Sequence, residues 1–348
     1  MRVCDYIAEF LYNYGVRRVY GLMGGGASGL NDGFIKNGLI EYVCFHHEQG
    51  AGYAGYAEAK STNKLAVVNP TTGCGGTNCM TPLLNSWQDS IPVLFLSGNV
   101  RLTHTSNYIN KTKKVNIRKY GVQEHDITNT VKNITKYTTV IENPDDVQYE
   151  LQKSIYIATS GRPGPVWIDI PSDVQTATMP KNSRIFLSDS NKNKKTIAYK
   201  SFEEVLLQSS KPIVLAGNGI HLSNTRDIFK DFIEYHNIPF VSTYLGRDLI
   251  EYDHELNLGA IGIKGTRAAN FALYYGDLLL ILGCSLNATH MGYDEKQFSP
   301  FSYKIMVDID KNETLKSIIN IDKIFNLDLR IFFDEYQYRK TKKLGNSL

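Results

Sequence analysis

Apolar residues fall into short runs separated by helix-length stretches along the first half of this chain. Runs at 16–22, 40–45, 65–69, 92–98 and 165–171 each predict a strand, the one at 40–45 a buried one. Apolar strands spaced by helical segments predict a parallel sheet covered on both faces. Val3, Tyr6, Ile7, Phe10, Leu11 and Tyr14 follow the i, i+3, i+4, i+7 spacing of an amphipathic helix, with Gly15 as its stop. The second half repeats the plan, with strands at 212–217, 278–283 and 305–310 and helices near 228–235 and 267–273. Between the halves, residues 179–198 are polar and turn-prone, which predicts a linker. The fold class read from this pattern is α/β, with two doubly wound parallel-sheet domains at 1–178 and 199–335 and a solvated basic tail at 336–348.

Composition changes this picture little. A chain of 348 residues suits two domains, and 42% hydrophobic with 21% charged residues describes an ordinary globular protein. A net charge of +3 makes no case for nucleic acid or membrane as a partner, and no apolar run approaches the length of a bilayer span. The five cysteines (Cys4, Cys44, Cys74, Cys79 and Cys284) are scattered without zinc-site spacing, which predicts buried, reduced thiols in a cytoplasmic protein.

The candidate chemistry centres on His46-His47-Glu48-Gln49-Gly50-Ala51-Gly52-Tyr53, where a strand runs into a glycine- and alanine-rich helix. Each interior Gly costs about 1 kcal/mol against Ala. Such a helix therefore approaches something closely, another backbone or a cofactor, and Glu48 at its mouth is a candidate catalytic carboxylate. Thr71-Thr72-Gly73-Cys74-Gly75-Gly76-Thr77-Asn78 follows a predicted strand. Its exposed backbone N–H groups, hydroxyls and Asn78 suit a heterocycle or an anion, or simply a flexible turn. Gly24-Gly25-Gly26-Ala27-Ser28-Gly29 fits G-x-G-x-x-G, which reads as dinucleotide binding or as a tight turn. Arg162, in Gly161-Arg162-Pro163-Gly164-Pro165, suits a phosphate or a rigid turn. Residues 217–219 and 262–270 fit a nucleotide site or a sheet domain without one.

In order, His47-Glu48-Gln49, the 71–78 loop, Asp89-Ser90-Ile91-Pro92, Gln123-Glu124, Thr135-Lys136-Tyr137 and Gly161-Arg162-Pro163-Gly164-Pro165-Val166 resemble the thiamine-diphosphate enzymes of the acetolactate synthase large-subunit type. Gly265-Thr266-Arg267-Ala268-Ala269-Asn270 and Val307-Asp308-Ile309-Asp310 resemble that family's central domain, so the likeness runs from about residue 3 to about residue 332.

The resemblance implies a pyrimidine-binding domain followed by a central Rossmann-like domain. It implies that Glu48 bonds N1′ of the aminopyrimidine, favouring the imino tautomer that takes the thiazolium proton. Gly25, Gly73, Gly75, Asn78 and Gln123 are the cofactor-binding residues it implies, with no metal ligand in this chain. The family's third domain, which carries Gly-Asp-Gly and holds magnesium and the diphosphate, has no counterpart here. Cys74 stands where the family commonly has proline. Leu286-Asn287-Ala288-Thr289-His290 replaces the Arg- and Asp-containing stretch of flavin-binding members, which argues against FAD.

The expected function is the N-terminal part of an enzyme that decarboxylates a small 2-oxo acid and joins it to a second carbonyl compound. It would work as a homo-oligomer with another chain supplying the diphosphate-binding domain. The alternatives are a truncated, non-catalytic regulatory homologue and an NAD-dependent dehydrogenase built on Gly24, Gly26 and Gly29.

Overall fold

A computed structural model describes residues 1–181, 183–187, 197–316 and 318–345, the last four by backbone alone. The chain divides into two compact units, Met1–Ser190 and Asn191–Leu348. Within the segment expected to be a linker, residues 182 and 188–196 lie outside the described residues.

In the first unit six strands, β1 (Arg18–Gly21), β2 (Glu41–Cys44), β3 (Ala66–Asn69), β4 (Val93–Asn99), β5 (Tyr137–Val140) and β6 (Val166–Pro171), form one parallel sheet in the order β2-β1-β3-β4-β6-β5. Its α-helices are α1 (Val3–Tyr14), α2 (Ser28–Asn37), α3 (Glu48–Thr62), α4 (Cys74–Asn78), α5 (Met80–Asp89), α6 (Ser106–Lys113), α7 (Ile127–Val131), α8 (Val147–Thr159) and α9 (Ser172–Thr176). Helices α1, α2, α8 and α9 bury Ile7, Leu11, Phe34, Leu151 and Val174 against Val19, Val67, Leu94 and Ile168 on one face of the sheet. The strands at 16–22, 65–69, 92–98 and 165–171 form where the apolar runs predict them, and α1 stops at Gly15 in the left-handed conformation.

The strand expected at 40–45 forms but is not buried. β2 is the edge of the sheet, so Glu41 and Cys44 are exposed and Glu41 pairs with Arg18 at 2.9 Å. An edge strand has one side without a neighbour, and a charged residue there discourages pairing with another chain. The cysteine expectation also needs correction: Cys4, Cys79 and Cys284 are buried, but Cys44 and Cys74 are exposed.

Helix α3 packs on the other face of the sheet, and its glycines explain how. A Cβ on Gly52 would collide with Pro82 of α5, and one on Gly55 would lie 2.5 Å from Val68 Cγ2 of β3. The close approach is to the chain's own side chains. Beneath it, Phe95 and Trp167 stack at 5.0 Å.

The second unit is a separate six-stranded parallel sheet. Its strands β7 (Pro212–Ala216), β8 (Phe240–Ser242), β9 (Asn257–Ala260), β10 (Leu278–Leu282), β11 (Tyr303–Asp308) and β12 (Lys323–Asn326) lie in the order β12-β11-β10-β7-β8-β9. Its helices are α10 (Ala198–Leu206), α11 (Gly219–Leu222), α12 (Arg226–His236), α13 (Arg267–Tyr275), α14 (Ala288–Met291), α15 (Lys311–Leu315) and α16 (Leu329–Gly345). One face packs Phe202, Phe232, Phe332 and Tyr336 of α10, α12 and α16; the other packs Ala269, Leu273 and Met291 of α13 and α14. The expected solvated tail is instead the end of α16 as far as residue 345. Tyr336 is buried and donates to Asp231 at 2.7 Å, and Lys340 pairs with the same carboxylate at 2.5 Å. The side chains of Lys342 and Lys343 lie outside the described residues.

Gly55→Ala should test the packing of α3. Helix propensity alone favours the change by about 1 kcal/mol, whereas overpacking against Val68 costs about 1–3 kcal/mol. The expected outcome is a lower urea midpoint than wild type; a raised midpoint would mean the helix has room to spare.

Candidate functional site

In open parallel sheets, ligands bind outside the carboxyl ends of the strands, where connections depart in opposite directions. In the first sheet that point lies between β1 and β3, because β1 leads outward to β2 and β3 leads inward to β4. The loops after β1, β2, β3 and β4 converge there.

The loop after β2 ends at His47, whose Nδ1 accepts from Gln49 N at 3.1 Å and caps α3. Glu48 is thereby fixed in the helix's first turn, where its residue is only 7% exposed. Its Oε2 accepts from Asn78 Nδ2 at 2.9 Å. Its backbone carbonyl accepts from the Cys79 thiol at 3.5 Å. Burial, and secondarily the Glu48 charge, push the Cys79 thiol up, which keeps it a protonated donor. Glu48 Oε1 accepts no hydrogen bond among the described residues. Beside it is Gly75: a Cβ there would lie 2.9 Å from Oε1 and 2.6 Å from Thr71 Cγ2.

The loop after β3 carries Thr71 through Asn78. Gly73 adopts φ +55°, ψ −109°, a region that L side chains rarely enter, and a Cβ there would overlap the carbonyl oxygen of Gln123. Gln123 itself is exposed, with φ +57°. Its neighbour Glu124 is buried and holds the segment in place, accepting from Ser106 N at 3.1 Å and Tyr120 N at 3.0 Å. Thr71 Oγ1 is buried and has no hydrogen-bond partner among the described residues. An unpaired buried hydroxyl costs about 1–3 kcal/mol, so such a group marks a place where a partner is missing.

The loop after β1 lies against these residues. Cβ atoms on Gly24 and Gly26 would collide with Thr71 and Thr72, whereas one on exposed Gly25 would meet nothing within 4 Å among the described residues. Gly29 meets Gln175 instead, whose Oε1 accepts from Leu30 N at 3.1 Å. The glycine pattern is thus spent on packing against the chain itself. Of the expected site residues, Glu48, Gly75 and Asn78 come together directly. Gly73 and Gln123 meet one another, and Gly25 stands apart from both groups. Arg162 is turned to Ser90, donating from Nε to its hydroxyl at 2.7 Å.

The glycine loops of the second unit also have internal partners. Gly217 and Gly219 pack on Gly283, and Gly262 on Thr289. Thr266 Oγ1 accepts from Ala269 N at 3.1 Å and caps α13.

One group escaped the sequence reading. Asp169, in β6, is 2% exposed and accepts from Ser97 Oγ at 2.5 Å and Asn99 Nδ2 at 2.7 Å, while Trp167 Nε1 donates to Ser97 at 2.8 Å. The network underlies the end of β4, where a Cβ on Gly98 would strike Gly26 and Ala27 of the β1 loop. A lone carboxylate within Val166-Trp167-Ile168-Asp169-Ile170 was the available signal. Among the described residues, no group of three or more His, Cys, Asp or Glu is placed to hold a metal, and no helix is long and apolar enough to cross a membrane.

Burial pushes the Asp169 carboxyl up to about 6, with a smaller push from Asp126, against the lowering effect of Ser97 and Asn99. The folded chain then binds this proton more tightly than the unfolded chain. Its contribution to stability is full below about pH 4 and lost as pH rises through about 6. The carboxyl carbon resonance of Asp169 should titrate near pH 6, and Asp169→Asn should flatten the stability slope between pH 4 and 6. A midpoint below 4 would refute this.

Comparison with known proteins gives a match in each unit. Residues 1–130 match the family model "Thiamine pyrophosphate enzyme, N-terminal TPP binding domain", and residues 200–326 match "Thiamine pyrophosphate enzyme, central domain". The acetolactate synthase large subunit of Lactococcus lactis is 34% identical over 282 residues, 80% of this chain and 47% of that protein. The probable acetolactate synthase large subunit of Methanocaldococcus jannaschii is 30% identical over 327 residues, 91% of this chain and 53% of its own. The isozyme 1 large subunit of Escherichia coli is 29% identical over 316 residues, covering 89% and 53%. The chain spans about half the length of the curated relatives it matches.

Proposed function

We propose a function from one premise: the chain belongs to the thiamine pyrophosphate enzyme family. The proposed role is the pyrimidine-binding half of an enzyme that decarboxylates a small 2-oxo acid and joins the product to a second carbonyl compound. The observation that carries it is the divided Glu48 carboxylate, one oxygen held by Asn78 and the other, beside Gly75, without a hydrogen-bond partner among the described residues.

The residues fit an aminopyrimidine ring. Gly75 leaves room at Oε1, Gly73 permits the turn that Gln123 closes, and the Thr71 hydroxyl is buried and unpaired among the described residues. Glu48 Oε1 would share a proton with ring nitrogen N1′, while Asn78 keeps the carboxylate from rotating. A hydrogen bond to a carboxylate of this kind is worth about 1.5–3 kcal/mol. When bound, the cofactor's thiazolium supplies an acidic carbon and an electron sink for decarboxylation. Gly25 and Gln123, both exposed, would bound the ring's approach.

We assign the diphosphate and its magnesium to a diphosphate-binding domain on another chain, in an assembly containing more than one copy of this one; magnesium on a diphosphate takes most of its ligands from phosphate oxygens and water. The glycine loops of the second unit, turned inward on Gly283 and Thr289, give no support to a flavin.

Mixing the chain with such a domain, thiamine diphosphate, magnesium and pyruvate should give cofactor-dependent loss of pyruvate. Glu48→Gln, which keeps the shape and the Asn78 contact, should reduce it by at least a hundredfold without lowering the melting temperature. Equal turnover by the two proteins would end this reading.

A further inference from the structure

Residues 101–119 carry six Lys and Arg side chains and no Asp or Glu, twice the net charge of the whole chain. All six (Arg101, Lys111, Lys113, Lys114, Arg118 and Lys119) are exposed, and among the described residues none pairs with a carboxylate. The segment is nevertheless firmly built. Thr105 Oγ1 caps α6 by accepting from Tyr108 N at 3.2 Å, and Lys114 ends that helix in the left-handed conformation. Asn110 then grips Ile117 from both sides, donating to its carbonyl at 3.2 Å and accepting from its N–H at 2.8 Å. Glu124 takes the amides of Ser106 and Tyr120, and Gly121 N donates to His104 O at 2.9 Å.

Six like charges on one short exposed arm repel one another, an effect that the Glu124 and Asp173 carboxylates bonded to its backbone offset in part. An anion would relieve it. The arm ends at the candidate site, because the Gln123 carbonyl lies against Gly73. At about 3.6 Å per residue, Arg118 and Lys119 lie within roughly 18 Å of that contact. Tyr120 beside them is 63% exposed, its ring edge-on to His104 at 5.6 Å. Outside residues 101–119 the chain is net negative. That balance disfavours an extended polyanion and favours a compact one.

We propose that the arm spanning residues 106–121 binds a small ligand through a diphosphate group at the edge of the β1/β3 crevice. The source of the group is free diphosphate or a nucleoside diphosphate. Arg118 offers a planar fork for phosphate oxygens, the lysines supply further charge, and Tyr120 gives a base a ring to stack on. Only the identity of the neighbouring crevice rests on the function proposed above; binding itself needs no thiamine cofactor.

The test titrates the full chain with UDP and with inorganic pyrophosphate by calorimetry, at low ionic strength and without thiamine diphosphate or magnesium. Wild type should bind saturably, and added salt should weaken binding. The triple variant Lys113→Glu, Lys114→Glu, Arg118→Glu should bind at least tenfold more weakly. Lys296→Glu, in the second unit, should bind like wild type. UDP binding more tightly than pyrophosphate assigns a nucleoside diphosphate, and equal binding assigns the free group. Should the triple variant unfold, Arg118→Ala alone should still weaken binding at least threefold. Absence of saturable binding, or equal binding by wild type and both arm variants, overturns the proposal. Binding of RNA or anionic vesicles without either diphosphate also overturns it. Because no thiamine is present, failure here leaves the Glu48 experiment untouched, and the reverse holds.

Discussion

One hydrogen bond, from Asn78 to Glu48, connects chain segments that leave the sheet from β2 and β3, two strands with β1 between them. Strand spacing puts such segments roughly 10 Å apart at the sheet edge. The Glu48 side chain reaches across that gap to Asn78, and the Cys79 thiol joins the same segments at the Glu48 carbonyl. The rest of the crevice is arranged so that this reach succeeds. His47 caps the helix that carries the carboxylate, Cys79 holds its backbone carbonyl, and Gly75 stays out of its way.

The precision of that contact is inherited from packing farther back. Gly52 and Gly55 let α3 lie directly on Pro82 and Val68, so the helix carrying Glu48 is seated by van der Waals contact along its length. The propensity surrendered at those glycines is the cost of a fixed helix position. On the far side of the crevice Asp169, Ser97 and Asn99 fasten the end of β4 beneath the Gly26 loop. Buried polar networks with every member satisfied make a structure more specific than apolar packing alone.

Much of the fold was legible because the apolar runs are long enough to specify central strands. β3, β4, β6, β7, β10 and β11 sit inside their sheets and read as mostly apolar stretches. What escaped was peripheral. β5, β9 and β12 are edge strands with half-exposed residues, and β8 has three residues, so no period could reveal them. The edge position of β2 was invisible for the same reason: its residues are apolar enough for a core, and only the strand order places it outside. For the candidate site, Glu48, Gly75 and Asn78 could be picked out because a carboxylate, a glycine loop and an amide each break the local pattern. The pairing of Gly73 with Gln123 joins residues fifty positions apart in the chain through backbone shape alone, which side-chain chemistry does not encode. The second half of α16 was misread because its charges dominate the composition, while Tyr336 alone carries the burial.

A carboxylate with one oxygen tethered differs from a free one in what it can recognise. A freely rotating group answers to any positive charge from any direction. Tethered, it keeps its charge but holds the lone pairs of Oε1 in one fixed plane, so the angle at which a donor arrives matters as well as its charge. A flat ring with one N–H lying in that plane meets both requirements at once.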